Sequence, residues 1–295
     1  MTDRARLLVI GAGGFLGAHV RKAAEAVGTF DVTYADSKPL KESGIHQVDI
    51  SSANSVERIF QTVQPQAVLL LAAISDIDKC EAAPELAYAV NALGAENVAN
   101  ACARANARLL FTSTAAVFDG KRHGYREEDT PTPLSVYGRT KECAEQAVRG
   151  LVPSAVILRI ALVLGFAGKG GTNAMLDQLM ARWGQGAPVA FPTNEVRNPV
   201  DAGRLAEAMV QLLSPSSTAR GIYHVGATDS LSRYEIGQHL AAKAGFPASL
   251  VRVQSETPPG RAPRGNDHFL IADKIQRECG IEFGSTASVI ERCFA

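Results

Sequence analysis

The 295-residue chain predicts a doubly wound α/β fold, a parallel sheet covered by helices on both faces, with a smaller C-terminal lobe. Three observations carry that expectation. Apolar runs of strand length alternate with helix-length periodic segments through the first half. Those runs are nearly continuous in apolar residues, as strands buried on both faces must be. A glycine triplet, Gly11, Gly14 and Gly17, stands where the first apolar run gives way to the first helical pattern. A β-α-β-α rhythm of this kind implies parallel pairing, because parallel neighbours need a long crossover and a helix supplies it.

The elements follow in order. Residues 6–10 predict a strand, and residues 18–27 a helix ending near Gly28. Residues 30–35 form a second strand, with Asp36 at its end. Residues 55–63 are helical and stop before Pro65, and residues 67–72 make a third, fully apolar strand. Residues 84–105 read as one long helix, 107–112 as a strand, 136–150 as a helix and 155–164 as another strand. Beyond Leu164 the rhythm loosens. Residues 166–172 are glycine-rich and expected to be flexible, and residues 165–171 are a candidate lid. Residues 173–183 and 201–213 are helical, and 221–226 return as a short strand. Ser232 with Glu235 three residues on is a capping box for a helix ending near Gly245. Residues 257–266 hold three prolines and two arginines and predict a loop.

Bulk composition narrows the function. Thirty basic residues balance thirty acidic ones. There is no electrostatic case for nucleic acid or an anionic membrane as partner. No apolar run approaches the roughly 20 residues that span a bilayer, and the N-terminal residues run into a strand without a signal-peptide core, so a cytoplasmic location is expected. Cys80, Cys102, Cys143, Cys279 and Cys293 are scattered and read as reduced thiols. His19, His46, His123, His224, His239 and His268 show no ligand spacing and are expected at the surface or with satisfied partners; no metal is expected.

A glycine triplet at a strand-to-helix turn lets backbone approach a pyrophosphate, which then meets the free N–H groups and positive end of the helix. This is the Rossmann-type dinucleotide cradle, here spaced G-x-x-G-x-x-G. Asp36, at the end of the second strand, stands where a carboxylate accepts from the adenosine ribose and repels a 2′-phosphate. That favours NAD(H), with NADP(H) as the alternative because Lys38 is near. Asp49 and Ile50 follow the next apolar segment, in reach of the adenine. The dinucleotide-binding domain is expected to span residues 1–164, with segments near 201–226 returning to it, and the substrate lobe to comprise 165–200 and 227–295.

Ser113 and Thr114 end the strand before the 136–150 helix, and Tyr137 and Lys141 are four apart on that helix, hence on one face. A free tyrosine has a pKa of about 10, and an ammonium nearby favours its phenolate. Thr114 is the expected hydrogen-bond donor to a substrate carbonyl and Tyr137 the proton donor as hydride arrives, and Lys141 is also expected to hold the nicotinamide ribose hydroxyls, which places Tyr137 and Lys141 at the cofactor too.

These motifs resemble the extended short-chain dehydrogenase/reductase family over nearly the whole chain. Asp78-Lys79-Cys80-Glu81, the run from Glu85 to Leu93, Val117-Phe118-Asp119-Gly120 and Tyr137-Gly138-Arg139-Thr140-Lys141 are most like its dTDP-4-dehydrorhamnose reductase branch. The resemblance implies reduction of a keto-sugar nucleotide. Phe15, Leu16, Ala72 and Ala73 would join the glycines at the cofactor, and Ser75, Asn173, Arg197 and Arg264 would join Thr114 at the substrate, the arginines on its phosphates. Asn91 would support the catalytic helix. The resemblance also implies a homodimer through the 84–105 and 136–150 helices. Two neighbouring functions stay open: a nucleotide-sugar epimerase or dehydratase that retains NAD, and a non-catalytic partner subunit like the methionine adenosyltransferase β subunit. Ala115-Ala116 replaces the usual Asp-Tyr of the reductases and Leu162 a usual tryptophan, so the particular sugar does not follow from the resemblance.

Overall fold

The computed structural model describes residues 4–38, 44–167, 175–256 and 258–295. The chain opens with β1 (Ala5–Ile10), α1 (Phe15–Val27), β2 (Phe30–Asp36), β3 (Ile45–Gln47), α2 (Ala53–Val63) and β4 (Ala67–Leu70). Then come α3 (Ile77–Ala82), α4 (Pro84–Ala87), a π-helical turn Tyr88–Leu93 and α5 (Gly94–Ala105). The first half ends with β5 (Arg108–Thr114), α6 (Val136–Leu151) and β6 (Val156–Ile160). The remainder is β7 (Leu162–Leu164), α7 (Met175–Gly184), β8 (Val189–Phe191), β9 (Val196–Arg197), β10 (Pro199–Asp201), α8 (Ala202–Leu213) and β11 (Gly221–Val225). It closes with β12 (Leu231–Ser232), α9 (Arg233–Lys243), β13 (Val251–Val253), β14 (Asp267–His268), α10 (Asp273–Cys279) and α11 (Thr286–Cys293).

Seven strands pair in parallel in the order β3-β2-β1-β4-β5-β6-β11. The order runs outward in one direction from β1 and in the other from β4. The sheet therefore splits its crossovers between β1 and β4, and a crevice opens at the carboxyl ends of those two strands. Side chains alternate across β1. Leu7 and Val9 enter a core built with α1 and α8, and Leu8 and Ile10 enter one built with α2, α5 and α6. This two-sided burial is what the unbroken apolar runs predict.

A third core joins α7, α9 and α11 through Leu176, Trp183, Phe191, Ile236, Leu240 and Ile290. It forms the lobe. Ile275, Ile281 and Phe283 lie instead in the main-body core beside α8, so the stretch around α10 reaches back to the sheet although its position in the chain is within the expected lobe.

Several local expectations change. The 155–164 run is two strands. β6 pairs with β5, then the chain bends at Ala161 and β7 pairs with β10. An apolar run carries no mark of the point where it changes partners. The 84–105 helix contains the π turn, which seats Asn91 inward. β3 was not legible in its three residues. α1 begins at Phe15, three residues before the predicted start. Residues 168–174, including Asn173 and most of the glycine-rich stretch, lie outside the described residues. His224 corrects the histidine expectation. It is fully buried, its Nδ1 meets the Tyr125 carbonyl at 3.1 Å, and its Nε2 makes no hydrogen bond among the described residues. Burial holds its pKa well below the usual histidine range, so the ring stays neutral. Among the described residues no helix is long and apolar enough to cross a membrane.

Candidate active site

A cleft of about 570 Å³ opens at the crevice between β1 and β4 and extends over β5 toward the lobe. Gly11, Gly14, Phe15, Leu16 and Gly17 line one end, with Ala73 and Ser75 beside them; Thr114, Tyr137 and Lys141 line the middle; Arg197 and Arg264 stand on the lobe side. Ala72, Asp36, Asp49 and Ile50 do not line it.

The glycine loop is shaped by close backbone contacts. Gly11 has φ +94°, and a Cβ there would stand 2.6 Å from the Ala72 nitrogen. A Cβ on Gly17 would stand 2.5 Å from the Ala12 carbonyl oxygen. Only glycine lets α1 sit this close to β1. No side chain caps α1 and no acidic residue occupies its first turn, so the free N–H groups and positive pole of the helix face the cleft uncompensated. These features fit a dinucleotide pyrophosphate. Asp36 accepts from the Gly13 N–H at 2.9 Å, bracing the loop against β2. The Asp49 carboxylate accepts from the Ser51 N–H at 3.0 Å and hydroxyl at 2.7 Å, and Ile50 is buried against Gly94 of α5.

The start of α6 brings Tyr137 and Lys141 to Thr114. Ser135 caps it by accepting from the Gly138 N–H at 3.1 Å. Gly138 lies so close to the Ala116 carbonyl that a Cβ would overlap it. The helix start is thus pressed onto the turn after β5, which sets Tyr137 beside Thr114. Thr114 Oγ1 accepts from the Ala116 N–H at 3.1 Å, leaving its own proton to donate into the cleft. Ser113, its neighbour in the strand, points the other way and donates to Glu145 at 2.5 Å. The two hydroxyls that the sequence leaves equivalent are divided by strand alternation.

Lys141 is buried and Tyr137 is half-buried in the cleft wall, and desolvation dominates the ionisation of both. It raises Tyr137 to about 12, against the pull of a hydrogen bond with Thr114. It lowers Lys141 to about 7, with Glu145 acting in the opposite sense. The sequence expectation was a tyrosine lowered by its lysine. In the cleft, desolvation outweighs that effect, and Tyr137 holds its proton at neutral pH as a proton donor must. Lys141 Nζ sits 4.0 Å over the Phe111 ring, a cation–π contact. Asn91 binds the Ile74 main chain through both its amide atoms, at 2.8 and 3.0 Å, and donates to Thr140 of α6 at 3.2 Å. It ties the loop after β4 to the helix carrying Tyr137.

Sequence reasoning missed Glu145 and Arg159. Glu145 continues the Tyr137–Lys141 face of α6 by one further turn, a signal that was legible. Arg159 of β6 grips it with Nε at 3.0 Å and Nη2 at 2.7 Å, and both side chains are almost fully buried. Glu195, Arg233 and His268 also line the cleft without having been singled out for it. Ala116 and Leu162, the two departures from the reductase pattern, are in its wall.

The two arginines expected on substrate phosphates have partners within the protein. Arg197 donates to the carbonyls of Val196, Asn266 and Gly265 at 2.7, 3.0 and 3.1 Å. Arg264 donates to both carboxylate oxygens of Asp78, at 3.0 and 2.8 Å, across the cleft mouth.

A parallel doubly wound sheet with a glycine cradle and a Thr/Tyr/Lys centre defines an extended short-chain dehydrogenase/reductase. The chain belongs to the RmlD substrate binding domain family, whose model matches residues 5–295. It is 34% identical over 268 residues to the dTDP-4-dehydrorhamnose reductase of Mycobacterium tuberculosis, covering 88% of this chain and 83% of that one. It is 30% identical over 287 residues to the methionine adenosyltransferase 2 subunit beta of Pongo abelii, covering 92% and 81%. Its fold is similar to the crystal structure of dTDP-4-dehydrorhamnose reductase from Bacillus anthracis in complex with NADP, with TM-score 0.89, 26% identity and 99% of each chain covered.

Proposed function

We propose that this protein reduces the carbonyl of a keto-sugar nucleotide with a nicotinamide dinucleotide. The convergence of Thr114, Tyr137 and Lys141 in one cleft with the glycine loop carries the reading. Gly11, Gly14, Phe15, Leu16, Gly17 and Ala73 would hold the cofactor, whose reduced nicotinamide supplies hydride to the carbonyl carbon. Asp36, Asp49, Ile50 and Ala72 would serve its adenosine end beyond the cleft. Thr114 Oγ1 donates a hydrogen bond to the carbonyl oxygen and orients it. Tyr137 Oη gives that oxygen its proton as the C–H bond forms, so the ketone becomes an alcohol and the tyrosine a phenolate. Lys141, when protonated, offsets the phenolate charge. Ser75, which lines the cleft, would contact the substrate, and Asn173, which lies outside the described residues, keeps the substrate role that the resemblance implies. Asp36 favours NAD(H), because its carboxylate repels a 2′-phosphate.

The test is oxidation of NADH and of NADPH against a panel of keto-sugar nucleotides. We expect one dinucleotide consumed per alcohol formed, with the larger kcat/KM for NADH. A larger kcat/KM for NADPH would overturn the cofactor preference alone. The identity to the methionine adenosyltransferase β subunit favours a second reading, a partner-binding module. Absence of turnover for every sugar, with a stoichiometric enzyme partner recovered, would support that one. Tightly held NAD with no net consumption would indicate an epimerase. The reading includes a homodimer. What supports it is the exposure of Leu86, Tyr88 and Leu93 along the helical stretch from α4 to α5. A monomer by light scattering at micromolar concentration would refute it.

A further inference from the structure

Three arginines, Arg197, Arg233 and Arg264, line the lobe-side wall of the cleft, and a fourth, Arg261, stands behind it on Glu195. Of the four, three are engaged with oxygen acceptors. Arg197 is spent on main-chain carbonyls and Arg264 on Asp78, as described above, and Arg261 pairs with Glu195 at 2.5 Å. Arg233, the first residue of α9, lines the cleft. The one hydrogen-bond partner of its guanidinium among the described residues is the Met175 sulfur, at 3.5 Å, while its main-chain N–H donates to the Glu195 carbonyl at 2.8 Å. A thioether is a weak acceptor and leaves a desolvated guanidinium poorly compensated. Among the described residues Glu195 is the carboxylate acting on it, opposed by Arg261 and Arg264. That same carboxylate already serves Arg261 and lies 3.6 Å from Arg197. The wall therefore carries positive charge in excess, and the excess is on Arg233.

We propose that Arg233 is the residue that binds the phosphoryl oxygens of the substrate's diphosphate, while Arg197 and Arg264 hold the wall that presents it. The assignment rests on the sugar-nucleotide reading above. The guanidinium fork matches two phosphoryl oxygens, and an anion there replaces a thioether with charge-assisted hydrogen bonds. Arg197 cannot turn to the ligand without releasing three carbonyls. Arg264 cannot do so without releasing Asp78, which also accepts from the Ala262 N–H at 2.8 Å and straps that loop to α3.

The experiment is calorimetric binding of dTDP and of UDP to the protein saturated with dinucleotide, for wild type, Arg233→Gln and Arg233→Met. Both variants keep an unbranched stem, and their circular dichroism and dinucleotide affinity report whether the fold is retained. We expect the better-bound nucleoside diphosphate to lose roughly 10- to 100-fold in affinity in both variants, the scale of a hydrogen bond to a charged group. KM for the sugar nucleotide should rise with it more than kcat falls. Unchanged affinity in either folded variant would overturn the assignment and leave the sugar-nucleotide reading standing. Wild type that binds dinucleotide but neither dTDP nor UDP would overturn both.

Discussion

Replacing Tyr137 by phenylalanine lowers kcat by about 10²- to 10⁴-fold, the usual contribution of a positioned general acid, and leaves dinucleotide affinity close to wild type. The substitution removes a hydrogen bond with Thr114 and keeps the ring, so the fold is retained. The expected signature separates the proton-donor role from a packing role. Loss of a buried hydroxyl that only packed would move the denaturation midpoint and leave kcat in place. Here the midpoint should hold and kcat should fall. The pKa of about 12 sets the sign of the pH dependence. The tyrosine remains protonated through neutral pH, so its own ionisation does not limit reduction there. Lys141, lowered to about 7 by burial, loses its proton as pH rises through neutrality, and any rate that depends on its charge falls in that direction. Near-normal turnover by Tyr137→Phe would remove the proposed mechanism.

Replacing Arg159 by methionine destabilises the protein by about 3–5 kcal/mol, the cost of leaving a buried partner charge unpaired. Glu145 would keep only the Ser113 hydroxyl, at 2.5 Å, in place of a guanidinium that meets both its oxygens. The guanidinium also reaches the Glu127 carbonyl at 3.3 Å and lies 5.0 Å from the Phe118 ring centre, contacts that are lost with it. Urea denaturation followed by circular dichroism measures the change. The double variant Glu145→Gln/Arg159→Met should recover part of the loss, because removing both charges leaves no uncompensated carboxylate. A single variant within 1 kcal/mol of wild type would show that the pair contributes little beyond what methionine supplies.

The position of the pair matters for the site as well as for stability. Glu145 follows Lys141 by one turn of α6, and Ser113 precedes Thr114 in β5. An ion pair that joins α6 to β6, with the Ser113 hydroxyl of β5 on the same carboxylate, thereby holds Thr114 and the helix of Tyr137 and Lys141 in register. The spacing of Tyr137, Lys141 and Glu145 was visible in the chain. Its partner was not, because Arg159 reads as an ordinary polar interruption in a strand.

The fold was legible for a physical reason. Each buried strand declares itself within five or six residues, since both its faces must be apolar, and each helix within a few turns. The glycine loop, the hydroxyl at the end of β5 and the Tyr137–Lys141 pair are local patterns of the same kind. The positions missed are those where a residue's role depends on what another segment brings to it. Nothing in residues 155–164 marks where β6 stops and β7 begins, because the second pairing partner, β10, arrives from later in the chain. Arg264 reads as an anion ligand until Asp78, 186 residues earlier, is found closing on it. Arg233 reads as part of a capping box until its guanidinium is seen in the cleft with a sulfur for company. Periodicity and propensity act between neighbours in sequence and can be read there. The compensation of a buried charge acts across a few ångströms of space, and its partners are chosen when the chain packs.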